Sequence, residues 1–227
     1  MSPTESPRHP ALFRLYYGAV VLGAIALLVF VPRGLPQPSI AMLAGLFVLM
    51  LLGELAPVPL PGGGYVTAST IFNLPCVIFF GPFWTALLDL AANGIAHGVV
   101  RRQPPVRVLH NVAIYTLGYY ATAWAYVAGG GDLGGLAFPH DGGALLLASV
   151  THFAVNSACV SIVIGLTTGP NPWRVWQRNF QQGLPHHLSF LALGALVAVV
   201  YAGAGPWGIA LFALPFLVSR YSFGVYL

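Results

Sequence analysis

Residues 83–100 read FWTALLDLAANGIAHGVV, with Gly81-Pro82 before them and Arg101-Arg102-Gln103-Pro104-Pro105 after them. Asp89 is the only Asp, Glu, Lys or Arg in this stretch. About 20 apolar residues are enough to cross the hydrocarbon core of a bilayer as a helix. Because glycine and proline residues interrupt helices, the segment predicts one transmembrane helix that ends at a basic loop.

The whole chain has the same apolar character. It contains 227 residues, of which 57% are hydrophobic and 6% are charged, and its mean hydropathy is +0.80. A soluble domain carries about a quarter charged residues, so this composition excludes one. The apolar runs are continuous, without the alternation of a β-barrel strand. We therefore predict an all-α, polytopic transmembrane helical bundle that forms one integral membrane domain over residues 1–227.

Breaks between the apolar runs predict about eight spans. The first run lacks a small-x-small cleavage pattern, so we expect a retained anchor instead of a cleaved signal peptide. The third run is short and contains Pro75, so it either kinks or crosses the membrane only partly. After a polar N-terminus at 1–11, the predicted spans are 12–31, 39–55, 65–80, 83–100, 108–128, 144–167, 187–202 and 207–218, followed by a cytoplasmic exit at 219–227.

The arginines predict the orientation of this bundle. With the N-terminus inside, eight of the nine arginines fall on the cytoplasmic side and only Arg33 falls outside. Basic residues concentrate in cytoplasmic loops. We therefore expect a multi-pass protein of the inner (plasma) membrane with both termini in the cytoplasm.

Polar residues recur every four positions in the fourth predicted span, at Thr85, Asp89, Asn93 and His97. This spacing places them along one stripe of a helix. An uncompensated charge at mid-span costs at least about 2.5 to 3.5 kcal/mol, so such residues usually face the bundle interior and have a function. Two interpretations stay open: a ligand site, or a hydrogen-bonded cluster that only packs helices.

Weaker polar rows occur in the neighbouring spans. They comprise Ser69 and Asn73, then Asn111, Tyr115 and Tyr119, and then Ser149, His152 and Asn156. If these rows face one another, they enclose a polar cavity that could orient a small ligand. The predicted ligand-binding residues are Asp89, Asn93, His97, His152, Asn156, Asn111, Tyr115 and Glu54.

No motif predicts catalysis. The histidines lack the spacing that places two metal ligands on one helix face, and no nucleophile elbow is present. Cys76 and Cys159 lie in apolar runs and are typical of small buried hydrophobes. The arginines form no patch with interleaved aromatics, so nucleic acid is not an expected partner. We predict no enzyme activity, no metal and no cofactor, and the lipid bilayer and a small ligand as partners.

Several loop motifs resemble a known family. They are Gly53-Glu54-Leu55-Ala56-Pro57-Val58-Pro59-Leu60-Pro61, Val66-Thr67, Phe80-Gly81-Pro82, Arg101-Arg102, His110-Asn111 and the ending Arg220-Tyr221-Ser222-Phe223-Gly224-Val225-Tyr226-Leu227. The chain thus resembles the multi-span sensor regions called MASE, which precede HD-GYP or GGDEF domains in bacterial cyclic-dinucleotide signalling proteins. This resemblance implies a sensory domain that passes a signal through its last span to a C-terminal or separate output domain. It also implies a homodimer, and it carries over no catalytic residue.

A second, weaker resemblance is to the substrate-binding membrane subunits of energy-coupling-factor transporters. Spans three to eight would supply the six helices of such a subunit, and Phe80-Gly81-Pro82 resembles a stretch between its early spans. This resemblance implies a transporter subunit for a small, vitamin-like solute. A purely structural membrane scaffold and an intramembrane enzyme are the remaining alternatives.

Overall fold

The computed structural model describes residues 8–31, 35, 37–55, 57–59, 65–181 and 184–208. This part of the chain is helical apart from one small β-hairpin and the connecting loops. The elements are α1 (Pro10–Phe30), α2 (Ile40–Leu55), β1 (Pro57–Pro59), β2 (Tyr65–Thr67), α3 (Thr70–Asn93), α4 (Pro105–Ala128), α5 (Gly142–Thr168), α6 (Pro172–Trp176) and α7 (Leu184–Ala204). Two π-helical segments, Gly94–Val100 and Gln177–Gln181, continue α3 and α6.

Helix α3 folds back on itself at Gly81. This glycine has φ 83° and ψ 166°, a backbone conformation that is essentially restricted to glycine. The Cys76 side chain interacts with the hydroxyl of Thr85, although nine residues of straight helix would separate them by about 14 Å. The Thr85 hydroxyl also donates to the Gly81 carbonyl at 2.8 Å. Residues 70–80 and 82–100 therefore lie side by side as two antiparallel arms.

The β-hairpin corrects the predicted start of the third span. Residues Tyr65–Thr67, which the sequence assigned to a helix beginning at 65, instead pair antiparallel with Pro57–Pro59 in the register Val58↔Val66. Proline fixes φ near −65° and cannot continue a helix, so the chain extends after α2 and the next extended segment pairs with it. Helix α3 begins only at Thr70.

The starts of α1 and α4 meet the end of α5 at one end of the bundle, which we call the Arg8 end. The backbone N–H of Arg8 donates to the carbonyl of Thr167 at 3.4 Å. The ring of Tyr17 stacks on His110 with 6.1 Å between the ring centroids. These contacts join three segments that the orientation model places on one side of the membrane.

The opposite end, the Gly81 end, gathers the turn between the arms of α3, the loop after α4 and the end of α7. The backbone N–H of Gly134 donates to the carbonyl of Ile78 at 2.7 Å. The rings of Phe79 and Tyr201 lie 4.4 Å apart. The loop at 129–141 and the α3 turn therefore lie at the same end of the bundle.

Helix α2 also runs between these two ends. Met42 lines a groove with Phe80 and Tyr201 at the Gly81 end, whereas the carbonyl of Glu54 accepts from Arg101, close to the start of α4. In the described part of the chain, α2, the two arms of α3 and α4 thus each have contacts at both ends.

Apolar side chains fill both the inside and the outside of this bundle. Leu46, Met50, Phe72 and Val197 pack α2, α3 and α7 together, while outer positions such as Phe30 remain 81% exposed. Within the described ranges, three helical stretches are long and apolar enough to cross a membrane, Pro10–Phe30, Thr70–Val100 and Gly142–Thr168. The second of these is the folded pair of arms, so each of its arms is shorter than the full stretch.

Part of the predicted topology falls on residues outside the described ranges. The predicted eighth span extends from 207 to 218, of which only residues 207 and 208 are described. The predicted cytoplasmic exit at 219–227, with Arg220, and Arg33, which is predicted to lie outside the cell, also fall outside the described ranges.

Candidate functional site

The carboxylate of Glu54 connects four segments at the Arg8 end. Glu54 lies in the last turn of α2 and is 1% exposed. Its Oε1 accepts hydrogen bonds from the hydroxyls of Thr67, at 2.9 Å, and Ser69. Its Oε2 lies 2.9 Å from Nε2 of His97. Because a buried charge is tolerated only when it is paired and hydrogen-bonded, these contacts explain how the carboxylate can lie inside the bundle.

Arg101 defines the protonation of His97. Its Nη1 lies 3.3 Å from Nδ1 of His97, and its Nη2 donates to the carbonyl of Glu54 at 2.7 Å. A guanidinium can only donate, so Nδ1 of His97 accepts and Nε2 carries the proton that is donated to Glu54. His97 is therefore neutral in this arrangement, and the charges of Glu54 and Arg101 balance each other.

Asp89 and Asn93 lie on the same face of the second α3 arm, toward the Gly81 end. Each is 1% exposed. Nδ2 of Asn93 donates to Oδ1 of Asp89 at 2.8 Å. Oδ1 of Asn93 is buried without a hydrogen-bond partner within the described residues, and Oδ2 of Asp89 makes no hydrogen bond of ordinary geometry there. Most buried polar atoms in proteins are satisfied, so these two oxygens are exceptions within the bundle.

Tyr119 brings helix α4 to this pair. Its hydroxyl faces the Asp89 carboxyl as a side-chain hydrogen-bond partner, although the contact falls short of ordinary hydrogen-bond geometry. Its ring stacks on His152 of α5, with 5.7 Å between the centroids and 13° between the planes. The ring of Tyr115 also stacks on that of Tyr119, with 6.3 Å between the centroids. The cluster thus extends from α3 through Tyr119 to α5.

The tautomer of His152 follows from Thr122. The Thr122 hydroxyl donates to the carbonyl of Gly118 at 2.7 Å and lies 3.3 Å from Nδ1 of His152. Since its only proton is used on Gly118, the hydroxyl accepts from Nδ1 of His152. This contact fixes the ring plane that supports Tyr119.

The structure brings together most, but not all, of the predicted site residues. Glu54 and His97 are in direct contact, as are Asp89 and Asn93, while Tyr115 and His152 join through Tyr119. Asn111 interacts instead with His110, whose ring stacks on α1. Asn156 is half-buried, and its described contacts do not link it to Asp89. The prediction that Asn156 faces the polar stripe of the fourth predicted span, now the second arm of α3, therefore has no support in these contacts.

Sequence reasoning missed the polar partners of Glu54. Thr67 lay in a segment predicted as helix, and Arg101 was interpreted only as a marker of topology. Ser69 was noticed as part of a polar row, and Tyr119 as part of another, which are the signals that could have included them. Their importance depends on the fold-back at Gly81, which no local pattern reveals.

The helix around His97 is π-helical. Residues Gly94–Val100 form this segment, and the N–H of Arg101 donates to the carbonyl of Ala96 at 3.1 Å to close it. Neither Gly94 nor Gly98 has a neighbouring atom within 4 Å of the position that a Cβ would occupy. π-Helical turns are rare and frequently mark functional sites, and this one carries the histidine that binds Glu54.

Among the described residues, the site offers oxygen atoms, not a cluster of metal-binding side chains. The described residues contain no group of three or more His, Cys, Asp or Glu side chains that could hold a metal ion. The site atoms that form no hydrogen bond of ordinary geometry are instead carboxylate, amide and phenol oxygens. No protein-family model, no curated protein and no solved structure matches this chain.

Proposed function

We propose that this chain is a bacterial membrane sensory domain with a ligand site at Asp89, Asn93 and Tyr119. In this proposal it forms about eight spans in the inner membrane with both termini in the cytoplasm. It binds a small or membrane-borne ligand and passes a conformational signal to a C-terminal or separate cyclic-dinucleotide output domain. The observation that carries the proposal is the buried pair of Asp89 and Asn93, in which the amide oxygen of Asn93, one helical turn from His97, has no hydrogen-bond partner among the described residues.

The connection between the ligand site and the Arg8 end supports a signalling role. Asn93 is followed one turn later by His97, which binds the carboxylate that also holds the β-hairpin and the start of α3. A ligand that shifts the second α3 arm would therefore change the contact between His97 and Glu54. The ligand can bias an output only if it has different affinities for the two arrangements.

A cellular assay of Asp89→Asn tests this proposal. The native reading frame carrying Asp89→Asn is compared with wild type and with Asp132→Asn, the same chemical change at an exposed loop position. We expect the cellular cyclic-dinucleotide level to change in Asp89→Asn and to stay at the wild-type level in Asp132→Asn. Equal levels in all three strains would contradict the site assignment. Sequencing the gene beyond the codon for Leu227 distinguishes a fused output domain from a separate one.

The second candidate is a substrate-binding subunit of a small-solute transporter. The uncovered backbone around Gly94 and Gly98 favours it, because small residues allow another helix to approach closely. The same surface could serve a homodimer of the sensor. Uptake of labelled solutes into cells distinguishes the two functions, since a transporter subunit depletes the medium and a sensor does not.

A further inference from the structure

Among the described residues, the buried polar site holds two carboxyl groups but one fixed positive charge. Asp89 and Glu54 interact electrostatically as two carboxyl groups. Arg101 supplies one positive charge through its contact with Glu54, and His97 is neutral because its Nδ1 accepts from that guanidinium. With both carboxyls ionised, the site carries one net negative charge. Burying such a charge is costly unless a positive partner is present.

The polar atoms at Asp89, Asn93 and Tyr119 that form no ordinary hydrogen bond are all oxygens. In the part of the chain that the structure describes, Oδ1 of Asn93 lacks a hydrogen-bond partner, and Oδ2 of Asp89 and the hydroxyl of Tyr119 form no hydrogen bond of ordinary geometry. The Tyr119 hydroxyl faces the Asp89 carboxyl. All three residues are at least 99% buried, with exposures of 1%, 1% and 0%. Carboxylate, amide and hydroxyl oxygens are the ligands that hard cations prefer.

The two arms of α3 bring a fourth oxygen to the same level. Cys76 on the first arm interacts with Asp89 on the second. One turn further toward the Arg8 end, the first arm carries Asn73 and the second carries Asn93. Oδ1 of Asn73 is also buried without a partner among the residues described. The antiparallel register thus places Asn73 level with the pair formed by Asp89 and Asn93.

We propose that Asp89, Asn93 and Tyr119 bind one dehydrated monovalent metal cation of the Na⁺ class. This inference rests on the proposed function, since it assigns a chemical class to a ligand of the same site. One missing charge matches a monovalent ion, whereas Mg²⁺ keeps several waters and an octahedral shell. Soft transition metals prefer imidazole and thiolate ligands, which this set lacks.

A proton is the competing occupant, because it would also neutralise Asp89. The titratable and charged groups that face Asp89 are Glu54 from α2, Cys76 from the first α3 arm and Tyr119 from α4. Tyr115 interacts in turn with Tyr119, and His97 and Arg101 lie beyond Glu54. A proton would satisfy Oδ2 of Asp89 but would leave the amide oxygen of Asn93 without a donor.

Binding of ²²Na⁺ to the purified full chain tests the proposal. In nanodiscs at fixed pH, with choline chloride keeping the ionic strength constant, we expect saturable binding of one Na⁺ per chain. The melting temperature should rise with Na⁺ concentration, because a ligand that binds only the folded state stabilises it. Asp89→Asn should weaken binding by at least ~100-fold, the scale for removing one partner of a buried ion pair.

Two further variants keep the test independent of misfolding. Tyr119→Phe keeps the ring and its stacking but removes one oxygen, so we expect Na⁺ affinity to fall ~3- to 10-fold, typical of one neutral polar contact. Asp132→Asn, the matched control, should bind Na⁺ like wild type. If Na⁺, K⁺ and Li⁺ all behave like choline while stability follows pH alone, the occupant is a proton and the proposal is wrong. Unchanged Na⁺ binding in Asp89→Asn and Tyr119→Phe would also overturn it.

The cation site and the sensor function can fail separately. If no variant affects Na⁺ binding but Asp89→Asn still changes the cyclic-dinucleotide level, the cation proposal fails and the sensor proposal stands. If Na⁺ binding depends on Asp89 but the cellular output does not, the cation site stands and the sensor proposal fails.

Discussion

Replacing Gly53 with alanine should separate α2 from the start of α3. A Cβ at residue 53 would lie 2.5 Å from the backbone nitrogen of Ser69, 2.8 Å from its Cα and 3.0 Å from the carbonyl carbon of Ala68. Ordinary contacts at a Cβ begin near 3.4 Å. Since all three neighbours are backbone atoms, no side chain can rotate away, and the two segments must move apart by roughly 1 Å, an overpacking effect.

The expected cost combines two opposite terms. Overpacking in a well-packed core costs about 1–3 kcal/mol, and the higher helix propensity of alanine returns up to about 1 kcal/mol. We therefore expect Gly53→Ala to lower the free energy of unfolding by about 1–2 kcal/mol. The displacement also lengthens the contact between Ser69 and the neighbouring Glu54.

Gly45→Ala is the matched control on the same helix. A Cβ at Gly45 would meet no atom within 4 Å, so only the helix-propensity gain applies and the variant should be neutral or slightly more stable. Denaturant unfolding of both variants in the same mixed micelles, followed by circular dichroism, measures the difference. Equal stabilities of Gly53→Ala and Gly45→Ala would refute the close contact between α2 and the start of α3.

Two more predictions concern the Gly81 end. Gly81→Ala places a side chain at φ 83°, so we expect a loss of about 1–3 kcal/mol; Gly135→Ala, at an open position without positive φ, should be neutral in the same unfolding assay. In the loop before α5, the backbone N–H of Ala137 donates to the carboxylate of Asp141 at 2.7 Å. This hydrogen bond is the main reason that the pKa of Asp141 is lowered, and the contact with His140 is the next cause. This stabilisation is present above the unfolded-state pKa and disappears as the pH falls through the lower folded-state pKa. The protection factor of the Ala137 amide against hydrogen exchange should therefore fall in acid, and Asp141→Asn should abolish that fall. Identical pH profiles of the protection factor in wild type and variant would contradict the assignment.

Local patterns predicted the polar stripe and the break before it. The four-residue spacing of Asp89, Asn93 and His97 is set by helix geometry alone, and all three side chains are buried on one arm of α3. Gly81-Pro82 predicted a boundary between two helices, and the positive φ of Gly81 explains why the chain can reverse there. These features depend on residues close in sequence.

The partners of Glu54 could not be predicted in this way. His97 lies 43 positions away along the chain, and the Thr67 hydroxyl reaches Glu54 only because β2 pairs with β1. The short strands were missed because their proline-rich and glycine-rich surroundings lack the alternation of polar and apolar residues that identifies a strand. Tyr119 was visible as a polar position, but its stacking on His152 depends on the packing of α4 against α5.

The ¹⁵N resonances of His97 would test the central claim most directly, namely that the Asp89 site is coupled to the Glu54 contacts. In nanodiscs, wild-type His97 should show a protonated Nε2 and an unprotonated Nδ1. Replacing choline chloride with sodium chloride should shift the Nε2 resonance in wild type and in Asp132→Asn, but not in Asp89→Asn. A protonated Nδ1, or the same sodium response in Asp89→Asn as in wild type, would contradict that coupling.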